Sequence, residues 1–136
     1  MTISFDVPIR AVPMSRPRVT SHGAYYPRRC KEYRDVVLLA AKAAMRGEPP
    51  TKDTCCCSVC LSFAVPKSYT KAKKQAALLG DIYPDGRNTG DLDNHAKAIL
   101  DALNGVVFED DSQVVSLSMT KMYSTADNVR ICVTTV

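Results

Sequence analysis

Gly90-Asp91-Leu92-Asp93-Asn94-His95-Ala96-Lys97-Ala98-Ile99-Leu100-Asp101-Ala102-Leu103-Asn104-Gly105 decides how this chain folds. Ala96, Ile99, Leu100 and Leu103 recur at helical spacing and make an apolar stripe, while Asp93, Lys97, Asp101 and Asn104 lie along the other side. The pattern predicts a helix from about Asn94 to Asn104, with Asp93 as its N-cap and Gly105 as its stop. Just before it, Asp91 and Asp93 stand two apart in what reads as extended chain. Both carboxylates then project to one side and Leu92 points inward. Like charges held that close repel, and a cation between them relieves the repulsion. All-oxygen donors select a hard ion, and magnesium takes one or two carboxylates while keeping room for water and phosphate. Lys97 follows Asp93 by one helical turn.

Downstream, Val106-Val107-Phe108 leads into the acidic run Glu109-Asp110-Asp111. The chain doubles back there, so the expectation is that Asp111 comes to lie beside Asp91. Asp110, adjacent to Asp111 and diverging from it, is expected to support a ligand rather than to be one, and Asn94 to hold a carboxylate or a phosphate. Asp101, two turns from Asp93, is expected to pair with Lys97, and His95 to sit at the surface or an interface. A plainer reading makes Asp93 only a cap and the acidic run only a solvated turn. Spacing alone leaves both readings open.

Working outward, Ile3, Phe5 and Val7 alternate in a first strand over residues 2–8. Four prolines between Pro8 and Pro27 predict an irregular segment. Lys31 to Arg46 reads as a helix with Tyr33, Val36, Val37, Ala40 and Ala44 inward, ended by Gly47 and Pro49-Pro50. Thr54 to Val65 is a second strand, and Ser68-Tyr69-Thr70 opens a short helix that stops at Gly80. After a loop over residues 81–90 and the acidic helix come two further strands. Gln113 to Tyr123 turns its Val115, Leu117 and Met119 to one face, and Asn128 to Val136 follows a hairpin turn at Ala126-Asp127-Asn128. The order β-α-β-α-α-β-β predicts an α+β domain, a sheet of about four strands packed with helices, as one unit over residues 1–136.

The net charge of +4 hides an asymmetry. Residues 1–80 carry 14 Lys or Arg against 5 Asp or Glu, and residues 81–136 carry 4 against 9. A basic body attracts a polyanion, and a local acid cluster binds a cation. No apolar run spans a bilayer, and the N-terminus lacks a basic head with an apolar body, so a soluble cytoplasmic protein is expected. Four of the six cysteines fall in Cys55-Cys56-Cys57-Ser58-Val59-Cys60. Strand alternation points Cys57 and Cys60 apart, and His22 and His95 do not complete a zinc set. They are read as small packing residues in a reducing compartment.

Asp91-Leu92-Asp93-Asn94, Lys97, Asp101-Ala102-Leu103 and Asp110-Asp111-Ser112-Gln113-Val114-Val115 resemble, in order and spacing, the signature of RusA-type Holliday junction resolvases. Lys121 falls where that family tends to place a lysine in the following strand. Pro13-Met14-Ser15-Arg16-Pro17-Arg18 and Val65-Pro66-Lys67-Ser68-Tyr69 are similar to segments of many members, some of them carried by phages. The resemblance implies a homodimer that binds four-way DNA junctions and nicks two strands symmetrically, in recombination and repair, with magnesium or manganese. It makes Asp91, Asp93 and Asp111 the metal-binding carboxylates and Lys97 the catalytic lysine. Two departures stand out: His95, where an apolar residue is usual, and Thr89-Gly90, where many members have Pro before the first Asp.

DNA contacts are expected from Arg16, Arg18, Arg28 and Arg29, interleaved with Tyr25 and Tyr26, and from Lys67, Lys71, Lys73 and Lys74. Contacts of this kind give salt-dependent affinity with little sequence reading. Other readings of the same residues are a nuclease for flap or fork DNA, a non-catalytic DNA-binding module, and a redox or zinc protein built on the cysteines.

Overall fold

A computed structural model describes residues 1–15 and 18–136, Arg18 through its backbone. Arg16 and the Arg18 side chain, both assigned to DNA above, lie outside the described residues. Among the described residues six strands and three α-helices form, in the order β1 (Thr2–Val7), β2 (Arg18–Thr20), β3 (Gly23–Tyr25), α1 (Arg28–Met45), β4 (Cys55–Ala64), α2 (Lys71–Leu78), α3 (Leu92–Leu103), β5 (Val114–Ser124) and β6 (Asn128–Thr135). The main sheet has the order β1-β6-β4-β5. β6 runs antiparallel to both β1 and β4, whereas β5 is parallel to β4. A parallel pair needs a long crossover, and α2 with α3 fills it. The expected α+β domain is therefore what forms.

One sheet face is dry. Cys55, Cys57, Val59, Leu61 and Phe63 of β4 and Val129, Ile131 and Val133 of β6 are all buried, against Tyr33, Val37, Ala41 and Met45 of α1 and Ile99, Ala102 and Leu103 of α3. Large side chains such as Phe63, Phe108, Ile99 and Ile131 are fully enclosed, and each contributes about 2 kcal/mol of transfer free energy. The alternate residues, Cys56, Ser58, Cys60 and Ser62, stand in register with Thr134, Cys132, Arg130 and Asn128 of β6 and Ser116, Ser118, Thr120 and Met122 of β5. That second face is built mainly of short side chains. Cys57 and Cys60 do point apart, and all six cysteines are free thiols.

Four expectations need correction. The last two strands are not a hairpin, because β4 lies between them. Residues 125–127 step over the end of β4, where Asp127 Oδ1 accepts from the Ala64 amide at 2.9 Å; alternation is the same whether consecutive strands pair or not. Of the Pro-rich segment expected to be irregular, residues 8–15 are so, but Arg18–Thr20 and Gly23–Tyr25 fold back as the β2–β3 pair. Helix α1 begins at Arg28, directly after Pro27, since proline is compatible with a helix start. Its buried stripe takes Ala41 and Met45, leaving Val36 41 % exposed. Finally, Val115 and Leu117 are 62 % and 41 % exposed: Val115 is skipped where the register steps from Cys55–Val114 to Cys56–Ser116, and Leu117 lies on the edge strand β5.

Candidate active site

The acidic stretch forms its helix slightly earlier than expected, from Leu92 to Leu103, and Asp91 rather than Asp93 holds the N-cap position. Asp93 is already in the first turn. Leu92 consequently does not point inward and is 40 % exposed. With Asp91 at the N-cap and Asp93 in the first turn, the extended-chain reason for both carboxylates projecting to one side no longer holds; both are exposed at the helix start. The Asp91 carboxylate makes no capping bond, and among the described residues neither group is engaged in an ion pair. The helix dipole favours negative charge there, and exposed carboxylate oxygens are the donor type that a hard cation takes. Lys97 is exposed one turn later.

Other expected neighbours are placed elsewhere. Asp101 pairs with Arg34 of α1 at 3.4 Å, not with Lys97. Asn94 is half-buried, and its backbone carbonyl accepts from the Met14 amide at 3.0 Å. Asp110 caps the 3-10 turn Asp111–Gln113, accepting from the Ser112 amide at 3.0 Å, while Gln113 Oε1 accepts from the Asp110 amide at 2.9 Å. The bond from Ser112 holds the Asp110 carboxyl below the usual carboxylate range. Asp111, inside that turn, is exposed.

Asp111 does not come to lie beside Asp91 within one chain. Lys121 of β5 bonds Gly90 O at 2.9 Å, which places the start of α3 at the Lys121 end of that strand. Asp111 leads into β5 at the opposite end, next to Val114. Val114 pairs with Cys55 and Lys121 with Leu61, six steps apart along β4, a distance of about 20 Å at strand rise. The described residues accordingly hold no group of three or more acidic, His or Cys side chains placed to share an ion. Sequence proximity misled here because α3 carries the chain away from the pair, and the turn at Asn104–Phe108 does not return it far enough.

His95 is not at the surface. It is 0 % exposed, edge-on to Phe63 with ring centroids 6.3 Å apart, and its Nε2 lies 2.6 Å from Thr89 O. Burial holds its pKa below the ordinary value, the Thr89 bond opposing that shift. Because the Thr89 carbonyl can only accept, Nε2 donates, and among the described residues Nδ1 is buried without a partner. Thr89 Oγ1 lies 2.6 Å from Gly86 O and 3.0 Å from Pro84 O and accepts from Lys121 Nζ at 3.2 Å. Arg10 reaches Asn88 O at 3.1 Å. Sequence reading missed Arg10 and Thr89 as parts of this site. Lys121 did carry a signal of its own, being a charged residue at the inward parity of Leu117, Met119 and Tyr123.

Beyond the Thr89 loop, a cleft of about 140 Å³ is lined by Arg10, Pro66, Tyr69, Asp85, Asn88 and Tyr123. The Tyr69 and Tyr123 hydroxyls are 3.0 Å apart, and burial with that bond pushes Tyr123 up to about 12. Lys73 stands over the Tyr69 ring, 4.0 Å from its centroid. Lys67 and Lys71 are exposed and Lys74 half-buried. On α1, Arg29 is exposed, and Arg28 is paired with Glu32 at 2.8 Å although both remain largely in solvent.

Fold and site together define a class: a small α+β domain that presents exposed carboxylates at a helix start, with the exposed Lys97 one turn further on. Residues 8–134 match the family described as endodeoxyribonuclease RusA, so the chain belongs to the RusA endodeoxyribonuclease family. It is also similar to the uncharacterized protein YqaN of Bacillus subtilis (strain 168), at 32% identity over 137 residues, covering 96% of this chain and 94% of the relative. No helix among the described residues is long and apolar enough to cross a membrane.

Proposed function

We propose that this protein is a magnesium-dependent, structure-selective endonuclease that resolves four-way DNA junctions by paired symmetric nicks, acting as a homodimer. The observation that carries the reading is the Asp91–Asp93 pair, exposed at the start of α3 and, among the described residues, committed to neither a cap nor an ion pair. Membership of a family of DNA endonucleases supports it.

Asp91 and Asp93 would hold magnesium, or manganese in its place, with Asp111 as the third carboxylate. When bound, such an ion supplies Lewis acidity for phosphodiester hydrolysis. Lys97, one turn along the same helix, offers its ammonium to the charge that develops on the phosphate. Exposed Arg28, Arg29, Lys67, Lys71 and Lys73, with Lys74, bind the backbone of the DNA, and Arg16 and Arg18 are assigned the same role. Asn94 and Asp110 support the site through backbone bonds rather than as ligands.

Because Asp111 sits at the far end of β5, the three carboxylates can share an ion only between two copies. β5 is an edge strand with Asp111 and Lys121 towards its opposite ends. A twofold axis across its middle would bring the Asp111 turn of one copy towards the Asp91 pair of the other. The homodimer is then a requirement of the chemistry.

The test is incubation of the protein with a synthetic four-way junction, a flap, a fork and a linear duplex. Paired nicks in the junction with magnesium, abolished by EDTA and by Asp91→Asn, are expected. Cleavage confined to flap or fork substrates would reassign the substrate, and binding without cleavage under any divalent ion would leave only a DNA-binding module.

A further inference from the structure

The two departures from the family pattern, Thr89-Gly90 and His95, meet in space. His95 Nε2 donates to Thr89 O at 2.6 Å. A Cβ added to Gly90 would lie 2.8 Å from that same Nε2 and 2.7 Å from Pro13 Cγ, and Gly90 has φ of +81°, where side chains are strained. The imidazole fits because residue 90 has no side chain. One departure therefore permits the other.

They act on the peptide that delivers Asp91. Three consecutive carbonyls immediately before it are each held by a donor from a different part of the chain: Asn88 O by Arg10, Thr89 O by His95 and Gly90 O by Lys121, at 3.1, 2.6 and 2.9 Å. No peptide plane in this run can rotate without breaking one of these bonds. Arg10 and Lys121 also place positive charge on carbonyl oxygens that would otherwise add to the negative potential around the acid pair. Helix capping does not require such fixing, since the Asp91 side chain caps nothing. His95, fully buried, has no route to substrate.

We propose that His95 is a positioning residue: through Thr89 O, and together with Arg10 and Lys121, it orients the Asp91 carboxylate for a divalent cation. This rests on the reading of Asp91 as a metal ligand. The effect expected is that of outer partners of metal ligands in general, whose loss weakens binding about 10- to 100-fold.

The measurement is a calorimetric titration of manganese into the DNA-free full chain, with hydrogen exchange followed at residues 88–91. His95→Leu is expected to weaken manganese binding at least about tenfold and to speed exchange in that loop. His95→Gln, whose amide nitrogen can donate to Thr89 O, is expected to restore most of both. His95→Leu binding manganese as tightly as the natural protein, while Asp91→Asn does not bind it, overturns the positioning role alone. Manganese binding untouched by Asp91→Asn overturns the ligand reading and this inference with it. Should His95→Leu fail to fold, Lys121→Met makes the same comparison at Gly90 O, with the same two outcomes deciding.

Discussion

A carboxylate at a helix N-cap has three common uses, as a cap, as half of an ion pair or as a ligand, and among the described residues Asp91 serves neither of the first two. Asp91→Asn should therefore cost less than about 1 kcal/mol, the scale of a helix-dipole interaction, and leave the melting curve nearly unchanged while metal binding and nicking are lost. A large drop in melting temperature would show that the group is structural after all. Asp6 is the opposite case. Asn128 and Arg130 bond its carboxyl, at 2.9 and 3.1 Å, and hold its pKa below 3.8. A depressed carboxylate adds stability above its unfolded pKa and loses it as pH falls through the folded value. Acid melts between pH 5 and 2 should accordingly fall more gently for Asp6→Asn than for the natural chain, the loss beginning only near pH 4, and 1 M salt should shrink the difference because the pair is exposed. Equal slopes would mean the bonds do not form in solution. At this scale residue type was readable and partnership was not. Asp91, Asp93 and Lys97 stand out by spacing, but Arg34 lies 67 positions from Asp101, and only the packing of α1 on α3 brings them together.

Elements were legible where periodicity is set by burial on one side. β4 and β6 show clean alternation, and α1 and α3 show helical spacing, because each has one dry face. β5 misled for a physical reason: the apolar alternation of Val115 and Leu117 runs across a register irregularity at Val115, on an edge strand that leaves both exposed. The stripe of α3 was displaced because His95, a polar residue, is buried in place of Ala96. The turn before β5 is an element in which two neighbouring acids have different duties. Asp110 caps it, and Gln113 ties it down, donating through Nε2 to Thr51 O and Asp53 O at 2.9 Å each while accepting from the Asp110 amide. Gln113→Ala removes these bonds, and at roughly 1 kcal/mol for each of two or three net bonds it should destabilise the fold by about 2 kcal/mol in urea melts. Asn is as good a cap as Asp, so Asp110→Asn should keep nicking within about threefold of the natural rate, whereas Asp111→Asn should abolish it. Equal loss in both would mean that Asp110 is itself a ligand.

For the whole molecule, the decisive fact is that the acid set is split between opposite ends of β5. Fold class followed from element order, but strand order did not, since the crossover that makes β4 and β5 parallel leaves no trace in either strand's own sequence. The consequence is testable by mixing. Asp91→Asn and Asp111→Asn are each expected to be inactive as homodimers, with both sites lacking a ligand. If each site takes Asp91 and Asp93 from one copy and Asp111 from the other, a mixed dimer has one site with both lesions and one with none. Subunit exchange at equal amounts makes about half the dimers mixed by chance, given a symmetric interface, so about a quarter of the original sites return. Those dimers carry one working site each, and the junction should be nicked once per binding event rather than cut in a symmetric pair. A set completed within each chain predicts the reverse, because every site in the mixture would still carry a lesion. Recovery of single nicks on mixing, read on a denaturing gel with one labelled strand at a time, separates the two arrangements. A mixture as silent as its components, under conditions where mass measurement shows that the subunits have exchanged, would refute the shared site.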